Sequence, residues 1–172
     1  LLTETEIGIA VQKGNPQQIN SIADLARPGL RLGLCNAEQS TLGFMTAGML
    51  RSSALDEAIG KNVVVEVPTA DFLVNQMRAG ALDAAIVYKV NFQLQAANLE
   101  FVRIRHEGAR AVQPFAVRAD SDRRQLAGRL LECFKRNRAR FETAGFTWLG
   151  DQAPVKSAEI EVPAWLLPPS GR

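Results

Sequence analysis

Apolar residues along this chain recur with two periods, and the two alternate. Residues 6–12 (EIGIAVQ) alternate apolar and polar and predict a strand, ended by the turn residues Lys13-Gly14-Asn15-Pro16. Ser21-Ile22-Ala23-Asp24 has the order of a short capping box, predicting a helical turn that stops at Pro28-Gly29. A regular succession follows: strand 30–35, helix 41–52, short helix 55–59, strand 63–67, helix 70–79 closed by Gly80, and strand 83–88. Strand-helix-strand-helix-strand is the pattern of a parallel sheet with right-handed crossovers, so the expected class is α/β. Segments 99–104 and 111–118 read as further strands, and Pro114 confines the second to an edge, a bulge or a crossing between lobes. A helix over 122–143 is expected, capped by Ser121 and terminated by Gly145, with Leu126, Leu130, Phe134 and Phe141 marking one packed face. The stretch 151–172 contains Pro154, Pro163, Pro168 and Pro169 without periodicity and is expected to wrap or link rather than fold as a domain.

Composition narrows the class without changing it. With 172 residues, 47% hydrophobic and 22% charged, the chain excludes intrinsic disorder, collagen-like repeats and disulfide scaffolds. The net charge of +2 is unevenly placed. Residues 123–140 hold seven Arg/Lys and one acid, Glu132, while the remainder is net acidic. Such a helix raises a nucleic-acid or membrane reading. No aromatic platform or groove-reading motif accompanies it, so its charges are read as a solvated face and no nucleic acid is expected as a partner. Cys35 and Cys133 are far apart, His106 is the sole histidine, and a structural metal site lacks its ligands. Cys35 ends a core strand and reads as a buried free thiol. No apolar run approaches the roughly 20 residues that span a bilayer. The chain opens Leu1-Leu2-Thr3 without an initiator Met, which reads as a removed signal, a removed larger part or an excised piece.

Candidate chemistry lies where open parallel sheets bind ligands, beyond the carboxyl ends of the strands. Residues 35–43 follow the first of these strands, 68–71 the second, and Tyr88 ends the third. Thr41, Leu42 and Gly43 would offer backbone N–H groups at one helix start and Ala70 and Asp71 at another, with Ser40, Thr69 and Tyr88 supplying hydroxyls. Helix N-termini carry about half a positive charge, so an oxyanion needs no Lys or Arg there. None of residues 36–50 or 68–77 is basic. Two plainer readings stand beside this one: Ser40, Thr41 and Thr69 are ordinary helix caps, and Tyr88 is a core ring with its hydroxyl at the surface.

Residues 7–16 (IGIAVQKGNP), 21–29 (SIADLARPG), the loop 36–43, 83–88 (DAAIVY) and Ala144-Gly145-Phe146 resemble, in order and spacing, the periplasmic molybdate-binding proteins of ABC transporters. The likeness covers roughly 6–146. It implies a type II periplasmic-binding-protein-like fold: a parallel-sheet second lobe in three α/β/α layers plus part of a first lobe. Residues 1–29 would be strand and connector of that first lobe or hinge, 30–110 the second lobe, 111–150 the return to the first lobe, and 151–172 the tail. The resemblance implies molybdate or tungstate held between lobes through Leu42, Ala70 and Tyr88, with no catalytic residue and no cofactor. It also implies delivery to a membrane permease, and a periplasmic or extracytoplasmic location, compatible with anchorage through a preceding segment. Cys35-Asn36-Ala37 stands where the family has Gly-Asp-Pro, and Ser40-Thr41-Leu42 where it has Val-Pro-Ala. The family's opening first-lobe segment precedes the equivalent of Leu1, so a missing segment or another chain is expected to complete that lobe. An effector-binding domain of a transcription regulator with the same fold, and a binding protein for sulfate or another small anion, remain the alternatives. An enzyme lacks a nucleophile, a general base and a phosphate loop.

Overall fold

The computed structural model describes residues 1–93 and 97–155. Most of the expected tail, 156–172, lies outside them. Contacts divide the chain into two compact units: Glu6–Ala111, and Leu1–Thr5 together with 112–155 of the described chain. The stretch 6–29 therefore packs with 30–111.

The larger unit is built on a sheet of order β3-β2-β4-β1-β5, from β1 (Thr3–Gln12), β2 (Leu32–Cys35), β3 (Val63–Val67), β4 (Ala84–Tyr88) and β5 (Leu99–Arg103). β2 runs parallel to β3 and β4, as the alternation of elements predicts. β1 is antiparallel to β4, pairing Ile7 with Tyr88 and Val11 with Ala84, and β5 is antiparallel to β1. The sheet is thus mixed, with a parallel trio extended by two returning strands. β4 is central, and four of its five residues, Ala84–Val87, are buried, which is why AAIVY is continuously apolar instead of alternating.

Helix α1 (Thr41–Ser52) follows β2, the short α2 (Asp56–Gly60) precedes β3, and α3 (Ala70–Arg78) follows β3. α3 buries Ala70, Leu73, Val74 and Met77, one face of a 3.6-residue period. A five-residue helix, α4 (Lys89–Gln93), directly after Tyr88, was not expected from the sequence. The turn Ile22–Ala26 is a 3₁₀ helix. At its start the Asp24 carboxylate accepts from Asn20 N (2.9 Å), Ser21 N (2.9 Å) and Ser21 Oγ (3.0 Å).

At the edge opposite the strand carboxyl ends, Arg31 N and its guanidinium both donate to Asp83, at 2.8 Å each. The Arg31 hydrogen bond holds the Asp83 carboxyl below its ordinary range, as that of Arg103 does for Glu6. Carboxyls depressed by folding stabilise the protein above the ordinary carboxylate range, and that stability is lost as pH falls through their folded values. The urea midpoint is therefore expected to fall as pH is lowered below about 4, where unfolded carboxylates begin to bind protons. Asp83→Asn should reduce that slope, and an unchanged slope would mean the pair is solvent-screened.

In the smaller unit, Thr3 and Glu4 at the start of β1 pair antiparallel with Trp148 and Thr147 of β7 (Thr147–Trp148), and Leu2 N donates to Gln113 O at 2.9 Å. β6 (Arg110–Gln113) ends just before Pro114, so the strand expected over 111–118 is cut short where the backbone donor is lost. The single helix expected over 122–143 is two, α5 (Arg124–Arg136) and α6 (Arg138–Thr143). Asn137 divides them: its Nδ2 takes the Cys133 carbonyl at 2.8 Å, a side chain competing for a helical acceptor. Ser121 is not the cap; its Oγ accepts from Arg123 N at 3.2 Å, before the helix begins. Gly145, at φ +96, does end α6, and Phe146 N closes back on Phe141 O at 3.0 Å. The expected packed face is only half realised. Phe134 and Phe141 join edge-to-face contacts with Phe115 and Phe146, and Phe141 packs at a tilt on Trp148, whereas Leu126 and Leu130 are 57% and 46% exposed.

Candidate functional site

The carboxyl ends of β3 and β4 and the starts of α1 and α3 meet around a concavity of about 350 Å³. Its lining contains Ser40, Thr41, Thr69, Ala70 and Tyr88, five of the seven residues singled out from the sequence, with Gln39, Pro68, Asp71 and Asn91 added. No Lys, Arg or His is among them. Leu42 and Gly43 do not line it. The Leu42 side chain is buried in the core, and Gly43 lies against the preceding loop.

Each polar group has a structural reason to be available. Ser40 caps α1 in an extended conformation, and its Oγ accepts from Gly43 N only at 3.5 Å, the limit of a useful bond. Thr69 holds the corresponding extended position before α3, and its hydroxyl makes no capping bond. The first N–H groups of both helices have no intrahelical acceptor, and both helix dipoles place positive potential there. Tyr88 ends β4 half-buried, and burial pushes its phenol up, so it stays a protonated donor at neutral pH. Cys35, buried and free, has its thiol pushed up by the same cause and stays uncharged. Cys133 is free and exposed.

Asp71 and Asn91 are what the sequence reading missed as side chains. Asn91 Nδ2 donates to Asp71 Oδ1 at 2.8 Å across the rim. Asn91 follows Tyr88 by three residues, one helical turn, and a recognised α4 would have revealed it. From the sequence, Asp71 offers only the backbone N–H of a helix start.

A second arrangement needed coordinates to find. Ser52 Oγ and His106 Nε2 are 2.9 Å apart, the distance of a nucleophile and its base. The surrounding bonds assign other roles. His106 Nδ1 accepts from Gly108 N at 2.9 Å, which places the ring proton on Nε2, and Ser52 Oγ donates to Met49 O at 2.9 Å. His106 therefore donates to Ser52, the reverse of proton abstraction, and the pair ties the end of α1 to the loop after β5. Among the described residues, no group of three or more His, Cys, Asp or Glu is placed to hold a metal ion, and no helix is long and apolar enough to cross a membrane.

The family model of bacterial extracellular solute-binding proteins matches residues 2–147. No curated protein sequence matches the chain. Among solved structures, L-phospholactate-bound PEB3 aligns at 20% identity over 86% of this chain and 67% of that one, with a TM-score of 0.68; PEB3 comes from Campylobacter jejuni. The substrate-binding domain of a protein described as a molybdenum ABC transporter of Clostridium difficile aligns at 13% identity, 86% and 65% coverage and TM-score 0.64. The periplasmic molybdate-binding protein of Azotobacter vinelandii aligns at 16% identity, 86% and 66% coverage and TM-score 0.59. The chain spans about two thirds of the length of these structures. At such identities the likeness establishes the fold: α/β, of the type II periplasmic-binding-protein kind.

Proposed function

Because the chain belongs to the bacterial extracellular solute-binding protein family, we propose that it captures a small oxyanion outside the cytoplasmic membrane for an ABC permease. Molybdate or tungstate is the proposed solute. The role is capture and release, with no covalent step and no resident cofactor. One observation carries the reading: two helix starts and four hydroxyls, of Ser40, Thr41, Thr69 and Tyr88, converge on one concavity whose lining contains no basic residue. Such a set of donors suits a fully ionised oxyanion, whose oxygens all accept, over a protonated one that must also donate. Binding of this kind requires donors from a second lobe and exclusion of water, both supplied when two lobes close on the ligand.

Isothermal titration of the full-length protein with molybdate, tungstate and sulfate tests the proposal. Heat with molybdate or tungstate supports it, heat with sulfate alone reassigns the solute, and no heat with any of the three sinks it. Tyr88→Phe should weaken binding by about 1–2 kcal/mol, roughly a factor of ten, if the phenol donates to a buried charge. An unchanged affinity would return Tyr88 to the core.

Asp71 supports a second reading. Its carboxylate repels a dianion unless Asn91 holds it aside, whereas a zwitterion carrying an ammonium group would use both the carboxylate and the helix starts. An amino acid included in the same titration, binding where the oxyanions do not, would establish that alternative.

A further inference from the structure

The carboxylate of Asp71 is an anion already tethered at the start of α3. Asp71 is the second residue of that nine-residue helix, after the Thr69 cap and Ala70. Helix starts attract negative charge, so an acid in the first turn ordinarily lies against the free N–H groups. Here those groups stay open: Thr69 makes no capping bond, and Ala70 N and Asp71 N have no acceptor among the described residues. The Asp71 side chain turns away instead, its Oδ1 taking Asn91 Nδ2 at 2.8 Å. Among the described residues that is the carboxylate's single hydrogen bond.

α4 puts Asn91 in place for this. The helix starts at Lys89, directly after Tyr88 ends β4, and Tyr88 and Asn91, three residues apart, both line the concavity. The Asn91 amide makes no other hydrogen bond among the described residues. No Lys, Arg or His in the lining competes for Asp71, whose side chain is the one charged group there. A neutral donor on α4 thus holds the only charge of the lining off the helix start.

We infer that Asn91 is a positioning residue that sets the charge class of the solute: it draws the Asp71 carboxylate across the rim and leaves the α3 donors to an incoming anion. Without that bond, Asp71 returns to the helix start, occupies the donors a solute oxygen would take, and opposes a second negative charge there. The part concerning the solute rests on the proposed capture of an oxyanion; the placement of Asp71 does not. A plain clamp between α3 and α4 would brace the two helices whatever the charge at position 71.

The test uses the full-length protein, with molybdate and sulfate as probes and ¹⁵N amide spectra of the ligand-free chain as a second readout. Asn91→Ala is expected to weaken oxyanion binding about fivefold, the worth of one acid at an exposed helix start. Without any ligand it should move the Ala70 and Asp71 amide protons downfield as they meet the carboxylate. Adding Asp71→Asn should remove that shift and return the affinity to the wild-type value or above it. A loss that Asp71→Asn does not rescue would make Asn91 a direct donor or a brace, and overturns the inference. So does an unchanged affinity in Asn91→Ala, or amides that stay in place. No heat with the wild-type protein sinks the oxyanion reading instead, and the ligand-free shifts then decide where Asn91 holds Asp71.

Discussion

Gly43→Ala is expected to cost about 3 kcal/mol of stability, at the upper end of overpacking penalties, and to abolish the proposed oxyanion binding. A methyl group at position 43 would overlap the carbonyl oxygens of Cys35 and Asn36 and come within 2.5 Å of the Asn36 carbonyl carbon. Both neighbours are backbone, so no side chain can rotate away; the loop or the helix must move. Both anchors resist that movement. Asn36 N donates to Val67 O at 2.9 Å, binding the loop to β3, and Leu42 beside the glycine is buried in the core. The loop is also where Ser40 and Thr41 enter the site, so displacement separates the α1 start from the α3 start and Tyr88. Urea unfolding and oxyanion titration of the same variant make the measurement. Full stability with full binding would mean the loop yields freely, and the site would not depend on this contact.

Gly43 shows what in the site was legible from sequence and what was not. Helix starts have chemical signatures, so Ser40, Thr41, Thr69 and Ala70 could be placed from the order of residues alone. A glycine at the third helical position could be seen too, but its role is a close approach between segments. It was therefore read as a donor when its main contribution is the absence of a side chain. Asn91 was hidden because α4 has no start signal after Tyr88, and the Asp71 side chain because a helix-start residue declares only its backbone donor. Ser52 and His106, 54 residues apart, meet only through the fold.

The same distinction runs through the fold. Periodicity located α3 and the parallel trio because those signals are local: Ala70, Leu73, Val74 and Met77 recur on one face, and β2, β3 and β4 are separated by helices. Pairing partners carry no local signal. β1 meets β4 and β5 antiparallel across more than seventy residues, and nothing in EIGIAVQ says so. β1 also begins earlier than its alternation suggested, because Thr3 and Thr5 are buried polar residues that disguise the strand. α5 marks the opposite limit. Its pattern identified an apolar face correctly, yet Leu126 and Leu130 remain exposed, since amphipathicity states which face can be covered and not what covers it.

Asn62→Ala should destabilise the larger unit by about 3 kcal/mol, since two carbonyls lose their donor at once. Asn62 is 6% exposed, and its Nδ2 donates to Leu25 O at 2.8 Å and to Arg27 O at 2.6 Å, tying the 3₁₀ turn to the strand before α3. Its own carbonyl accepts from Leu32 N at 3.0 Å, so the residue also sets where β2 begins. Removing the side chain leaves the Leu25 carbonyl, at a residue 1% exposed, without a partner, while the Arg27 carbonyl is nearer water and loses less. Asn62→Asp is the sharper variant, because a carboxylate of nearly the same shape would face two carbonyl oxygens and repel both. A lower urea midpoint with an unchanged slope is expected for Asn62→Ala, with Asn62→Asp lower still and recovering partly as the carboxyl is protonated in acid. Equal midpoints for all three proteins would show that water satisfies the carbonyls, and the asparagine would then be a spacer. The network lies away from the concavity, so a loss of stability without a loss of oxyanion affinity under folding conditions would separate what holds the unit together from what holds the ligand.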